Sequence, residues 1–272
     1  MRNKKLIVTP PSNFKNSDSY LDYLAKLIVD KPISIQLIKS IPLVINNPES
    51  ISILGSGLSS PQGFIQKKLL DMNEDHLKSI SNYFQERALV SEYVMGFDKP
   101  TELREQELQL SDCLMWAIEI SSDYNLWNEL FGTRETELAK EVNLPSLCLP
   151  CGITYSKPEQ LLIICKDDTD IESYIPVDII EYFDLRVTLM IDSEDAVLDV
   201  VSKKVQSLNL DNRMQLIKAG FLDGQDILKS YVNSANPSWI AYHNFDKSFI
   251  DRAFNMNTNN FILSAERPIL IL

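Results

Sequence analysis

The chain has 272 residues, of which 44% are hydrophobic and 24% are charged, as expected for a globular protein of about two domains. Its formal net charge of −12 repels nucleic-acid backbones and anionic lipid headgroups, so neither nucleic acid nor a membrane is an expected partner. The N-terminal MRNKKLIV lacks the apolar run of a signal peptide, and no segment approaches the ~20 apolar residues that span a bilayer. We therefore expect a cytoplasmic protein.

Short apolar runs alternate with amphipathic segments through the first half of the chain. This alternation predicts a parallel sheet with helices on both of its faces. The predicted strands are 5–9, 33–41, 91–95, 113–118 and 146–149, and the better defined helices lie around 18–28, 77–84, 101–109 and 126–142. A segment rich in Asn, Ser, Gly and Pro, 42–64, interrupts this order and is predicted to be an inserted loop.

The second half of the chain repeats this layout. Its predicted strands are 161–165, 186–191, 214–218, 239–242 and 269–272, and its predicted helices are 171–182, 194–208, 225–233 and 247–265. Gly96 and Gly220 are 124 positions apart, and Pro145 and Pro268 are 123 apart. Two landmarks that share one offset predict two copies of a single fold in tandem.

The predicted fold class is therefore α/β, with two tandem doubly wound domains. Each domain is expected to contain a five-stranded parallel sheet flanked by helices. We place the first domain at 1–151, with the insertion at 42–64, and the second at 159–272. The short segment 152–158 is the expected linker.

Four cysteines are too few for a disulfide scaffold. Cys113 and Cys165 lie in apolar strand-like runs and are expected to be core residues. Cys148 and Cys151 have the spacing of a redox or metal pair, but they follow a strand and not the helix N-terminus that would stabilise a thiolate. No second pair or paired histidines complete a zinc site, so no metal site is expected.

Three segments resemble the universal stress proteins in their tandem form. The opening KKLIVTPPSNFKNSDSYLDYLAKLI is similar to the family's first strand, turn and helix. The segments LSDCLMWAI…ELFGTRETELAKEVNLPSLCLP and NPSWIAYHN…NNFILSAERPILIL are similar to its fourth strand, nucleotide loop, helix and final strand. The resemblance implies a Rossmann-like fold of the adenine nucleotide alpha hydrolase type. It also implies that the final strands, 145–149 and 268–272, pair antiparallel and make the chain an intramolecular pseudo-dimer, which would cover two apolar sheet edges.

The resemblance also locates a nucleotide site in the first copy. Family members that bind ATP carry an aspartate after the first strand and a loop of the form G-x-x-G-x(9)-G-[ST], whose glycines admit the phosphates to main-chain N–H groups. Here Glu119 and Ser122 replace the first two glycines, and the aspartate position falls at Pro10 or Pro11 and is lost. Gly132 and Thr133 alone match the motif.

The second copy has lost the complementary part of the motif. Asp167 fits the aspartate position, but the loop reads His243, Asn244, Phe245 and Asp246, and no glycine stands near 255–257. Gly132, Thr133 and Asp167 are therefore the candidate nucleotide-binding residues, as remnants of an ATP motif. No catalytic residue is assigned, because the sequence contains no nucleophile-elbow motif and no carboxylate pair in a catalytic context.

By resemblance, the chain is expected to be a non-enzymatic stress-response protein that regulates or scaffolds through an unidentified protein partner. It is expected to bind ATP weakly or not at all and to need no cofactor. The alternative is a stress sensor that holds ATP or AMP in the crevice of one domain. An enzyme on the same sheet is the least favoured hypothesis, since it needs a general base and a phosphate cradle in one crevice.

Overall fold

The computed structural model describes residues 3–11, 18–41, 61–120, 138–139, 141–166, 175–192, 202–203, 206–208, 210, 212–218, 232–242 and 267–272. The strands of these residues are β1 (Lys4–Val8), β2 (Ile33–Ser40), β3 (Ser91–Gly96), β4 (Cys113–Ile120), β5 (Ser146–Pro150), β6 (Gln160–Lys166), β7 (Arg186–Asp192), β8 (Met214–Lys218), β9 (Trp239–Tyr242) and β10 (Ile269–Ile271). The helices are α1 (Asp18–Ile28), α2 (Pro61–Gln85), α3 (Pro100–Glu107) and α4 (Val177–Phe183), with a 3₁₀ turn at Leu110–Asp112.

The strands form one ten-stranded sheet in the order β3-β2-β1-β4-β5-β10-β9-β6-β7-β8. Read from the outer edge to the centre, the first half has the order β3-β2-β1-β4-β5 and the second half has the corresponding order β8-β7-β6-β9-β10. Each half therefore places its first strand between its second and its fourth. All neighbours are parallel except β5 and β10. The predicted doubly wound α/β class is confirmed.

The two halves join through the antiparallel pair of β5 and β10. Ile269 lies opposite Cys148, Leu270 opposite Leu147 and Ile271 opposite Ser146. Both strands are buried on this stretch, and each has a parallel neighbour on its other side, β4 for β5 and β9 for β10. Neither strand therefore leaves an apolar edge open to solvent.

Alternating side chains of the central strands fill two hydrophobic clusters, one on each face of the sheet. Leu6 of β1 belongs to one cluster and Ile7 to the other, and Leu161 and Leu162 of β6 divide in the same way. The first cluster contains residues of both halves, including α1 and α4. Near-continuous apolar runs are the sequence signature of parallel strands covered on both faces.

The first cluster crosses the junction between the halves. Trp239 of β9 is fully buried, and its Nε1 donates a hydrogen bond to the hydroxyl of Tyr23 in α1 over 2.8 Å. The Trp239 ring also meets Phe183 edge to face, with ring centroids 5.4 Å apart. Lys4 of β1 adds an ion pair of 2.9 Å with Asp178 of α4.

Two predicted boundaries are wrong. Pro61–Phe64 lie in the first turn of α2 and not in the inserted loop, because proline suits the start of a helix, where its missing N–H costs nothing. Helix α4 begins at Val177 and not at 171, since Ile175 and Pro176 are not helical. A residue before proline avoids the helical conformation, which explains the late start.

The remaining loop and helix predictions fall mainly outside the described residues. These include 42–60 of the insertion, most of the helices 126–142, 194–208 and 225–233, and the whole of 247–265. Among the helices that are described, none has the length and apolarity needed to cross a bilayer.

Candidate functional site

The carboxyl ends of β1 and β4 form the crevice where a doubly wound sheet places its ligands. The strand order reverses between these neighbours, and the described residues that come after them pack on opposite faces of the sheet, α1 in the first cluster and Leu138, Ala139 and Val142 in the second. Val8 lies opposite Ala117, and the next residue, Thr9, donates its N–H to the Ala117 carbonyl at 3.0 Å. Glu119 lies two positions further along β4 and is half-buried.

Two buried aromatic side chains fix the floor of this crevice. The indole Nε1 of Trp116 donates to Thr9 Oγ1 at 2.8 Å. The hydroxyl of Tyr20, from α1, lies 3.0 Å from the Ala117 carbonyl and 3.2 Å from the Thr9 carbonyl, and it donates to this pair. Both aromatic residues are fully buried, so the turn after β1 is held by groups that solvent does not reach.

The Glu119 side chain gives the described part of the crevice a negative charge. Burial raises the pKa of Tyr20 well above its ordinary value, and the neighbouring Glu119 carboxylate raises it further. Tyr20 therefore stays neutral and keeps its hydrogen as a donor to the backbone. A phosphate that entered beside β4 would meet the negative charge of Glu119, and like charges repel strongly where solvent is partly excluded.

Of the turn after β1 the structure describes residues 9–11, and these three residues offer few backbone hydrogen-bond donors to a ligand. Pro10 and Pro11 are both buried and have no N–H, and the N–H of Thr9 donates to the Ala117 carbonyl, while its hydroxyl oxygen accepts from the Trp116 indole. Phosphate sites in such folds depend on main-chain N–H groups at a loop or a helix N-terminus. The described part of the crevice lacks this feature.

The predicted nucleotide-binding residues Gly132, Thr133 and Asp167 lie outside the described residues, and so does the second copy's loop from His243 to Asp246. Their roles stay predictions. The structure does show what the sequence reasoning missed, namely that Tyr20 and Trp116 support the crevice. Both fit the helical or strand periodicity of core residues, and nothing in that periodicity distinguishes them from other core side chains.

The predicted burial of Cys113 is confirmed. Cys113 and Cys148 are buried and Cys151 is exposed, and none of these three forms a disulfide. Burial raises the pKa of Cys113, which favours the unreactive protonated form. Cys165 belongs to β6, although its side chain is outside the described set. Within the described ranges, no three His, Cys, Asp or Glu side chains are grouped so that they could hold a metal ion.

Comparison with solved structures identifies the fold. A universal stress protein from Archaeoglobus fulgidus DSM 4304 superposes with a TM-score of 0.63 over 97% of this chain and 95% of its own, at 11% identity. A functionally unknown protein from Pseudomonas aeruginosa PAO1 gives 0.52 over 99% and 92%, at 9% identity. The cytoplasmic domain of a prokaryotic cation chloride cotransporter gives 0.53 over 98% and 95%, at 11% identity.

These similarities cover nearly the whole chain in both directions, so the resemblance to universal stress proteins is confirmed at the level of the fold. No protein-family model matches the sequence, and no curated protein matches it either. At such low identities the comparison establishes the fold, while function has to be argued from the sites.

Proposed function

We propose that the chain is a non-enzymatic stress-response protein that regulates or scaffolds through protein contacts and does not depend on bound nucleotide. The fold is shared with a universal stress protein. The chemistry of the first crevice differs from what the ATP-binding members of that family require. The proposal rests on this difference.

One observation carries the proposal, which is the half-buried Glu119 carboxylate at the carboxyl end of β4. At this position a nucleotide-binding member would carry a glycine that lets phosphate approach the backbone. The carboxylate adds bulk and negative charge, and Pro10–Pro11 across the crevice removes two N–H donors. Each change weakens triphosphate binding by itself, and together they act on the same ligand group.

The experiment is titration calorimetry of the full chain with ATP, ADP and AMP, accompanied by thermal unfolding with the same ligands. We expect no saturable heat and no rise in melting temperature that depends on Gly132 or Asp167, because a ligand stabilises a protein only in proportion to its affinity for the folded state. Gly132→Asp is the matched variant, since it blocks the remaining motif residue. We expect it to respond as the parent chain does.

The competing hypothesis is a sensor that holds ATP or AMP. It predicts a stabilisation by an adenine nucleotide that disappears in Gly132→Asp, and this result would refute the nucleotide-independent role. A stabilisation that survives in Gly132→Asp but disappears in Asp167→Asn would place the nucleotide in the second crevice. It would refute the proposal equally.

A further inference from the structure

We propose that a cavity at the junction of the two halves binds a small molecule that carries phosphate groups. The cavity has a volume of about 810 Å³ and is lined mainly by polar atoms of the segment 150–160, the segment 235–238 and Arg267–Pro268. It is separate from the crevice between β1 and β4, because none of its lining residues belongs to β1 or β4.

The antiparallel pair of β5 and β10 creates this cavity. Because the two strands run in opposite directions, the carboxyl end of β5 lies beside the amino end of β10, at one end of the strands. The amino ends of β9 and β6 lie at this same end, since both strands are parallel to β10. The chain turns away after β5 at Cys151 and Gly152 and returns to the sheet at Gln160, so the linker forms one wall.

Two cations line this cavity in a chain that has 38 acidic and 26 basic residues. Lys157 is exposed on the linker, and Arg267 is half-buried immediately before β10. In the described part of the chain, no carboxylate lies within 4.0 Å of either cation. The single carboxylate in the lining is that of Glu159. Its Oε2 lies 4.0 Å from Nη2 of a third cation, Arg186.

Arg267 is held in place by neutral groups. Its Nη1 donates to Asn236 Oδ1 at 3.2 Å and to the Pro237 carbonyl at 3.1 Å. Neutral acceptors orient the guanidinium without cancelling its charge, so the charge remains available to an anion. A fixed guanidinium suits phosphate because its donors match two phosphate oxygens at once.

The wall around Arg267 is also fixed. Ser238 Oγ accepts hydrogen bonds from the backbone N–H groups of Glu159 at 3.1 Å and Gln160 at 3.4 Å. This ties the end of the linker to the segment before β9. A site whose cations are positioned before binding loses less conformational entropy when the ligand arrives.

A second cavity of about 310 Å³ continues the first, since both are lined by Gln160 and Ala235. Arg186 and Arg213 line it. Arg213 is paired with Asp184 at 3.1 Å, which offsets part of its charge. The arrangement suits a ligand with a phosphate or diphosphate group near Arg267 and a further polar or anionic group toward Arg186.

The test is calorimetric titration of the full chain with inorganic pyrophosphate at low ionic strength. We expect saturable binding that weakens as salt is added, since exposed charges are screened. Lys157→Gln and Arg267→Gln should each weaken it about tenfold, the effect of losing one charge-assisted hydrogen bond. The matched control Lys78→Gln removes an exposed helical lysine elsewhere and should leave binding unchanged.

Additional measurements on the same variants can refute the proposal. Circular dichroism checks that Arg267→Gln is folded, and Lys157→Gln decides the matter if it is not, because that side chain is exposed. Absence of saturable binding, or an equal loss in Lys78→Gln and Lys157→Gln, would overturn the site. Loss of binding in Gly132→Asp would move the ligand to the first crevice and overturn it too. Citrate binding as tightly as pyrophosphate would overturn the phosphate assignment.

Discussion

The indole of Trp239 and the hydroxyl of Tyr23 form a buried hydrogen bond of 2.8 Å, although the residues are 216 positions apart. The bond joins α1 of the first half to β9 of the second. A buried indole N–H needs an acceptor, because leaving it without one costs free energy that no solvent contact recovers. Tyr23 is therefore a partner that Trp239 requires and not merely another apolar neighbour.

Replacing both members of this pair should cost less than the sum of the single changes. Tyr23→Phe leaves the indole N–H without its acceptor, which should lower the free energy of unfolding by about 1–3 kcal/mol. Trp239→Phe removes the donor and leaves a small void. We expect the double variant to fall short of additivity by ~1 kcal/mol, as measured by urea unfolding.

Tyr155→Phe is the matched control for this cycle. Tyr155 meets the Tyr23 ring edge to face with centroids 5.3 Å apart, and the change keeps that ring contact. We expect an effect within about 0.5 kcal/mol. Strictly additive costs for Tyr23→Phe and Trp239→Phe would show that the bond contributes nothing to stability.

Because the phenol groups of Tyr20 and Tyr23 are buried, we expect the folded chain to lose stability at alkaline pH. Burial raises the pKa of Tyr20 and of Tyr23, so in the folded chain both keep their protons above the ordinary value of about 10. In the unfolded chain they ionise near pH 10, and the unfolded state then binds fewer protons than the folded state. Stability is therefore full below about pH 10 and falls as the pH rises further.

Urea unfolding at pH 8 and at about pH 11 measures this effect, with phenolate absorbance recorded in parallel. We expect a lower midpoint at the higher pH and a smaller drop in Tyr23→Phe. Of the ten tyrosines, Tyr20 and Tyr23 should ionise only as the chain unfolds. Ionisation of all ten near pH 10 in a chain that is still folded would contradict the explanation.

Helix α3 packs against β3 through Gly96. A Cβ added at Gly96 would lie 2.6 Å from Cδ2 of Leu103, which is buried in α3. A larger residue here would have to displace the end of the buried Leu103 side chain. Gly152 is required for a different reason, because its φ of +76° strains other residues although a Cβ there would meet nothing within 4 Å.

Gly96→Ala should therefore destabilise the chain by about 1–3 kcal/mol through overpacking. In a Leu103→Ala background the contact atom is absent, so the second change should cost little. Gly152→Ala should cost about 1–2 kcal/mol from its left-handed backbone, and Leu103→Ala should not relieve it. A neutral Gly96→Ala in the parent chain would mean that Leu103 yields without cost.

The element boundaries show how far local sequence information reaches. Apolar runs located the strands to within a residue or two, because side-chain burial in a parallel sheet produces them directly. The starts of α2 at Pro61 and of α4 at Val177 were missed. In each case a proline marks the start, because α2 begins at Pro61 and α4 begins directly after Pro176.

The whole molecule is held at its centre by the pairing of β5 with β10. The repeat offset was visible in the sequence because Gly96 and Pro145 recur with constant spacing. The linker cavity cannot be predicted from the sequence, since Lys157 and Arg267 are distant along the chain and line one cavity only because β5 and β10 pair antiparallel. The repeated unit can be predicted from the sequence, whereas the surface that forms between the copies cannot.

A charge placed in this central pair should destabilise both halves. Leu270 is fully buried between β5 and β9, so Leu270→Asp should cost more than about 4 kcal/mol or leave the carboxyl protonated. Leu272→Asp is the matched control, because Leu272 follows the strand and is half-buried. We expect it to cost about 1 kcal/mol.

Hydrogen exchange measured on β2 and β7 reads the two halves separately. Since one hydrophobic cluster contains residues of both, we expect Leu270→Asp to reduce protection in both strands. Loss of protection in β7 alone, with β2 unchanged, would show that the halves unfold independently of their central pair.

A crystal structure of the full chain grown with excess ATP and magnesium tests the central claim most directly. We predict β5 and β10 antiparallel at the middle of a ten-stranded sheet, halves that superpose, and no triphosphate beside Glu119. A triphosphate seated between Thr9, Glu119 and Gly132, or halves that do not superpose, would contradict this account.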